Sequence, residues 1–177
     1  DVPDFSTAVD SMVARTVIGE VTMRVLNGLY YEQLTIPNIP GSSSTNTVTF
    51  ISDAEDTTLA ILKYDPAIYN LYDPDFVIKF DGARHIRFKN IQIQTSILPK
   101  TVSLEGVVRD IIIEGNRIEG IQTNNIWIDM GTIFSETASD VEDLKVIDNY
   151  FIYGRRGFDS NSSTKKDYQF IGNSFVN

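Results

Sequence analysis

Three carboxylates stand at one position of a repeating strand pattern: Asp81, Glu105 and Asp129. They sit near the ends of "VIKFDG" (77–82), "VSLEG" (102–106) and "IWIDMG" (126–131), strings in which apolar and polar residues alternate. With Ile78/Phe80, Val102/Leu104 and Ile126/Ile128 turned inward, a period of two turns Lys79, Ser103 and Trp127 outward, followed by the three acids. Carboxylates stacked at strand spacing repel, which raises a pKa or recruits a cation. Asp81 and Glu105 are therefore candidate Ca2+ ligands, and all three acids are candidate catalytic groups. A paired acid and base is what glycoside hydrolysis requires. Trp127 beside them could stack on a sugar ring, and Lys79 shares that face. The plainer account is that outward acids before a glycine turn are simply solvated, with Trp127 packed under residues 132–140.

A second aromatic and acidic group lies in the Pro-broken "KYDPAIYNLYDPD" (63–75), where Tyr64, Tyr69, Tyr72, Asp65, Asp73 and Asp75 could meet a sugar or Ca2+. Tyr69 and Tyr72 join Trp127 and Lys79 as candidate ligand-binding residues; an ordinary excursion between repeats explains the same string. His85, the single histidine, leaves no His-cluster metal site, and the absence of cysteine excludes disulfides, thiol catalysis and Cys-bound metals. His85 aligns with Asp110, Asp143 and Asp167, just ahead of three strands, and reads as a turn residue rather than a general base. "GRRG" (154–157) reads as a solvated corner.

What positions these residues is an internal repeat. Ile111, Ile113, Asn116 and Ile118 match Leu144, Val146, Asn149 and Phe151, and again Tyr168, Phe170, Asn173 and Phe175. An earlier copy, Ile86, Phe88, Ile91 and Ile93, carries isoleucine in the asparagine slot. The copies step by 25, 33 and 24 residues, and "GTIFSETASD" (131–140) reads as a polar loop inserted into the long step. Two architectures write this pattern. "VRDIIIEGNRI" fits the spacing of a leucine-rich-repeat horseshoe, a protein-binding fold. That fold needs a helix or extended convex segment after the asparagine, whereas here each copy carries a further alternating strand. Three short strands per two dozen residues predict an all-β, right-handed parallel β-helix.

The N-terminal "DFSTAVDSMVAR" departs from this period. Phe5, Ala8, Val9, Met12 and Val13 share one face of a short helix, with Asp4 or Ser6 as N-cap. The expected organisation is a capping helix within residues 1–20 and coils over 21–177. The pairs 115–116, 148–149 and 172–173 (Gly-Asn, Asp-Asn, Gly-Asn) suit a sharp two-residue corner needing the left-handed conformation. In register, Asn116, Asn149 and Asn173 would stack as a structural amide ladder.

The chain resembles the pectin-lyase-like superfamily of right-handed parallel β-helices over nearly its whole length. Its opening looks like that of pectin methylesterases and of bacterial surface β-helix proteins. Asp4, Phe5 and Thr7 match their D-F-x-T helix, and Gly28, Tyr30, Glu32 and Ile36 match their G-x-Y-x-E-x-x-x-I strand. "IPNIPGSSSTNTVTF" and "FVIKFDGARHIRFKNIQIQ" are similar to repeats of large, secreted, surface-displayed bacterial proteins. The resemblance implies an outward strand face that lines a substrate groove. It does not carry over the enzymes' chemistry: no Q-D-T-L or D-F-I-F-G equivalent of the methylesterase acid and nucleophile is present. "GRRGFDSNS" (154–162) shares only one Asp with them. The arginine and clustered aspartates with which pectate lyases hold Ca2+ are also missing.

Composition bounds the partners. A net charge of −9 repels a nucleic-acid backbone, and no basic run offsets it. No apolar run approaches membrane-spanning length. No signal peptide opens the chain, and a start at Asp1 leads us to expect processing or sequence upstream. "YQFIGNSFVN" stops within the repeat without a cap, so other chains or domains are expected to cover an open C-terminal end. The function the sequence favours is a non-catalytic structural or adhesive module, secreted or at a bacterial cell surface, that binds glycan and needs no cofactor beyond Ca2+. The alternative is a polysaccharide-active enzyme, hydrolase, lyase or epimerase, using Asp81, Glu105 and Asp129. The protein-binding horseshoe is a third.

Overall fold

The computed structural model describes residues 2–54, 56–66, 76–122, 131–154 and 156–176. One helix, α1 (Phe5–Val13), precedes the strands. The first coil holds β1 (Val21–Val25), β2 (Gly28–Tyr31) and β3 (Leu34–Pro37), and the second β4 (Val48–Ser52), β5 (Ala60–Lys63) and β6 (Ile78–Asp81). The third holds β7 (Arg84–Lys89), β8 (Gln92–Gln94) and β9 (Val102–Glu105); the fourth holds β10 (Val107–Glu114), β11 (Arg117–Glu119) and β12 (Gly131–Ser135). The last two hold β13 (Asp140–Ile147), β14 (Tyr150–Ile152), β15 (Arg156–Ser160), β16 (Thr164–Lys166), β17 (Gln169–Ile171) and β18 (Ser174–Val176). Strands at the same place in successive coils pair in parallel and build three sheets. The first sheet runs from β1 to β16 and β17, the second from β2 to β18, and the third from β3 to β15. This is a right-handed parallel β-helix. No convex helices accompany the strands among the described residues, and the horseshoe is thereby excluded.

The register follows the side chains that must be inside. Leu34, Ile78, Val102, Ile133 and Phe158 form one column, and Phe50, Phe88, Ile113, Val146 and Phe170 another. A one-residue slip would turn a whole column outward, so burial locks the coils together. Helix α1 closes the N-terminal end of this core. Phe5, Ala8, Val9 and Met12 are buried, and the Phe5 ring lies 6.0 Å from Phe50 and 5.9 Å from Phe88. Of the two candidate caps the fold uses Asp4, whose carboxylate accepts from the Thr7 N–H at 2.7 Å. Val13 falls outside the apolar face and is exposed.

The asparagine corner is present with one refinement. Gly115, Asp148 and Gly172 take positive φ of 63°, 52° and 65°, as does Asn90 (54°) before Ile91, so only the first residue of each corner pair is left-handed. The asparagine's backbone is thus free for a regular ladder. Each side chain donates to a carbonyl three residues back in the preceding coil's copy: Asn116 to Phe88, Asn149 to Ile113 and Asn173 to Val146, all at 2.8 Å. Each Oδ1 accepts the backbone N–H one coil back, from Ile91, Asn116 and Asn149 at 3.0, 2.9 and 2.9 Å. Isoleucine closes the column at position 91 because that place needs only a backbone donor. Contrary to the expectation of a turn, His85 lies within β7, at a left-handed strand position (φ 58°), in a column with Asp110, Asp143 and Asp167 at φ 50°, 54° and 57°.

One register expectation is corrected. The strand opposite Val102 and Leu104 is not 126–131 but β12, with Ile133 opposite Val102 and Ser135 opposite Leu104. The string "GTIFSETASD" is therefore not an inserted loop. It supplies a strand and the turn after it, and the extra residues of the long coil lie between Glu119 and Gly131. Both strings alternate, and periodicity alone does not choose between them.

Candidate functional site

The outer face of the third sheet collects the candidate acids. Strands β6 and β9 pair with Lys79 opposite Ser103 and Asp81 opposite Glu105. Asp81 is exposed, and among the described residues no cation pairs with it. Glu105 is tethered instead: its Oε2 lies 3.4 Å from the Lys79 ammonium, and its Oε1 accepts from the Ser103 hydroxyl at 3.1 Å. Lys79 in turn sits 4.9 Å above the Phe76 ring. The pair is followed by Gly82 and Gly106, at φ 65° and 68°, where the chain turns away. A Cβ at Gly106 would stand 3.6 Å from Asp81 Oδ1, so glycine leaves room beside that carboxylate.

The third acid of the row differs from the one expected. The Glu136 N–H donates to Leu104 O at 3.1 Å, the bond a residue opposite Glu105 makes in a parallel ladder. The acidic row is therefore Asp81, Glu105 and Glu136. Asp129 lies outside the described residues. Glu136 pairs with Lys100, whose ammonium stands 4.9 Å over the Phe134 ring. Sequence reasoning missed Glu136 and Lys100. The signal was available in "IFSE" (133–136), whose last residue sits where Asp81 and Glu105 sit in "IKFD" and "VSLE".

Other expectations on this face divide. Lys79 is half-buried beside the acids, as the period required. Ser103 has the outward phase but is fully buried, as Phe134 beside it nearly is. The open part of the face therefore lies toward Thr35, Lys79, Asp81 and Glu105. Trp127, Tyr69 and Tyr72 lie outside the described residues, as do Asp73 and Asp75. Asp65 is described and holds a turn together: its carboxylate accepts from Thr95 Oγ1, Ser96 N and Ser96 Oγ at 2.9, 2.7 and 2.9 Å. Burial pushes its pKa up, but these bonds and Lys63 outweigh that and hold it below the usual range. Asn116, Asn149 and Asn173 are structural rungs.

Of the two expected Ca2+ ligands, Glu105 has a cation of its own, the Lys79 ammonium at 3.4 Å, and Asp81 has none among the described residues. Among the described residues no three His, Asp or Glu side chains converge as metal ligands.

A groove on the first sheet, lined by Arg109, Asp110, Glu142, Asp143 and Asp167, has its charges matched from within. Arg87 and His85 hold Asp110, Arg109 and Lys166 hold Glu142, and Lys145 holds Asp143.

No protein-family model matches the chain, and no curated protein matches it by sequence. Among solved structures it is similar to a pectin methylesterase from Yersinia enterocolitica, with a TM-score of 0.54 at 12% identity over 99% of this chain. The chain spans 66% of that enzyme's length. A pectin methylesterase from Aspergillus niger aligns at a TM-score of 0.36 and 10% identity, over 97% of this chain and 81% of that one. The likeness to the Yersinia structure bears on the fold, a right-handed parallel β-helix. No described helix is long and apolar enough to cross a membrane.

Proposed function

We propose that this β-helix is a polysaccharide-active enzyme whose substrate lies across the open part of the third sheet's outer face, with Asp81 and Glu105 as its paired carboxylates. The observation that carries this reading is their register: two acids directly opposite on neighbouring parallel strands, one exposed and one held by Lys79 and Ser103. Parallel strands lie about 4.8 Å apart. That is close to the ~5–5.5 Å carboxylate separation of retaining glycoside hydrolysis, in which one group protonates the leaving oxygen and the other attacks the sugar. Lys79 and Ser103 fix the orientation of Glu105, which a positioned catalytic group needs. The site works outside the cytoplasm, where polysaccharide is met.

A second reading, a non-catalytic glycan-binding or adhesive module, is favoured by the lysine beside each of Glu105 and Glu136, an arrangement that also serves as a plain row of surface ion pairs. The two separate on a panel of neutral and acidic polysaccharides, with and without Ca2+, scored for both binding and new chain ends. Chain ends that vanish with Asp81→Asn or Glu105→Gln support the enzyme. Binding without products supports the module.

A further inference from the structure

We infer that Gly82 and Gly106 position the substrate: they form a ledge of bare backbone on which a sugar ring rests beside Asp81. The inference rests on the reading of this face as the one that polysaccharide meets. Left-handed backbone alone does not call for glycine in this chain. Seven other described residues take positive φ with a side chain in place, Asn90, Asp148 and Tyr153 among them. Where glycine holds such a position, packing explains it four times. A Cβ added at Gly41, Gly115, Gly154 or Gly172 would collide with Val17 O, Asn90 Oδ1, Thr132 Oγ1 or Asp148 Oδ1 respectively. At the other two no collision occurs. Gly82 (φ 65°) has nothing within 4 Å of an added Cβ, and at Gly106 (φ 68°) the nearest atom, Gly82 N, would be in ordinary contact at 3.4 Å. The protein's own packing gives no reason for these two to lack a side chain.

Their place supplies the reason. They directly follow Asp81 and Glu105, which stand opposite each other on β6 and β9. At the same place in the coils on either side, after Pro37 and Glu136, come Asn38 and Thr137, both exposed. The bare strip is therefore confined to the two coils that carry the paired acids and is flanked by side chains. A strand spacing of about 4.8 Å gives it the width of a sugar ring. Glycine allows a ligand its closest approach to the main chain. A ring on the ledge presents its hydroxyls to Asp81, which is exposed and without a paired cation among the described residues, while Lys79 and Ser103 hold Glu105 alongside. A side chain at residue 82 would lift the ring away from both carboxylates.

The test measures binding and chain-end release on soluble β-glucan, xylan and polygalacturonate by the wild type and Gly82→Asn, with the urea midpoint of each as the check on folding. Asparagine tolerates the left-handed conformation, so this variant adds a side chain with little strain. The ledge predicts a dissociation constant raised at least about tenfold, with kcat/KM lowered to match, at a midpoint close to that of the wild type. If the asparagine lowers the midpoint, Gly82→Ala, whose one methyl group meets nothing in the protein, takes its place and should weaken binding in the same direction. A folded variant that binds as the wild type does overturns the ledge, and where the wild type releases product it overturns the ledge alone. Binding without product, weakened by the substitution, supports the ledge and overturns the catalytic reading. Wild-type protein that binds none of the three polysaccharides overturns both.

Discussion

Glu32 clamps the capping helix to the first coil: its two carboxylate oxygens accept the backbone N–H groups of Phe5 and Ser6, each at 2.9 Å, and Oε2 also takes the Ser6 hydroxyl. The D-F-x-T and G-x-Y-x-E strings, far apart in sequence, are thus two halves of one contact. A helix N-terminus has unpaired donors and a partial positive charge, and this carboxylate answers both. Glu32→Ala should lower the unfolding free energy by about 1–3 kcal/mol, read from urea denaturation. Glu32→Gln, which keeps one acceptor, should fall between the two.

The ladder sets a second expectation. Asn149 is buried and bonded to both neighbouring coils, so Asn149→Leu removes the acceptor of the Asn116 backbone and side-chain N–H groups and the donor to Ile113 O, while Asn173 Oδ1 keeps the backbone N–H of residue 149. A loss of about 1–3 kcal/mol per stranded group is expected. No measurable loss would show that the rungs bear no stability.

The left-handed glycines should differ in their response to alanine. Gly82 has φ 65° and nothing within 4 Å of an added Cβ, so Gly82→Ala should cost only the backbone term, roughly 1–2 kcal/mol. Gly41 has φ 85°, and an added Cβ would stand 2.1 Å from the Val17 carbonyl oxygen. Gly41→Ala should therefore be clearly the worse of the two in thermal melts.

Acid stability should depend on Asp110. Burial raises its pKa, and hydrogen bonds and charges from Arg87 and His85 overcome that, leaving it below the usual carboxylate range. A value depressed by folding contributes stability above the unfolded pKa of about 3.9, and that stability is lost as pH falls through the folded value. Asp110→Asn should flatten the pH dependence of the urea midpoint below about pH 4 and lower the midpoint at neutral pH.

Much of the fold was legible because a β-helix repeats its constraints. Ile111, Asn116 and Ile118 each recur in register with a partner one coil on, so the solenoid and its ladder could be read by alignment. The third-sheet strand of the fourth coil was not legible in the same way. "IWIDMG" and "GTIFSE" alternate equally well, and the choice rests on Ile133 filling the column above Val102. Misplacing that strand substituted Asp129 for Glu136 in the acidic row. Lys100 was invisible for another reason: it belongs to the connection before β9, and its meeting with Glu136 across 36 residues is a tertiary event. The burial of Ser103 likewise depends on what covers the strand, which a period of two does not encode.

The central claim is that Asp81 and Glu105 act together on polysaccharide, and the most direct measurement is the release of new chain ends by wild-type protein, Asp81→Asn and Glu105→Gln on the polysaccharide panel. The account predicts product from the wild type, at least about a hundredfold less from either variant, and an unchanged urea midpoint for Asp81→Asn, whose carboxylate is exposed and has no ion-pair partner among the described residues. Wild-type protein that binds a polysaccharide yet releases no product, or variants as active as the wild type, would contradict it.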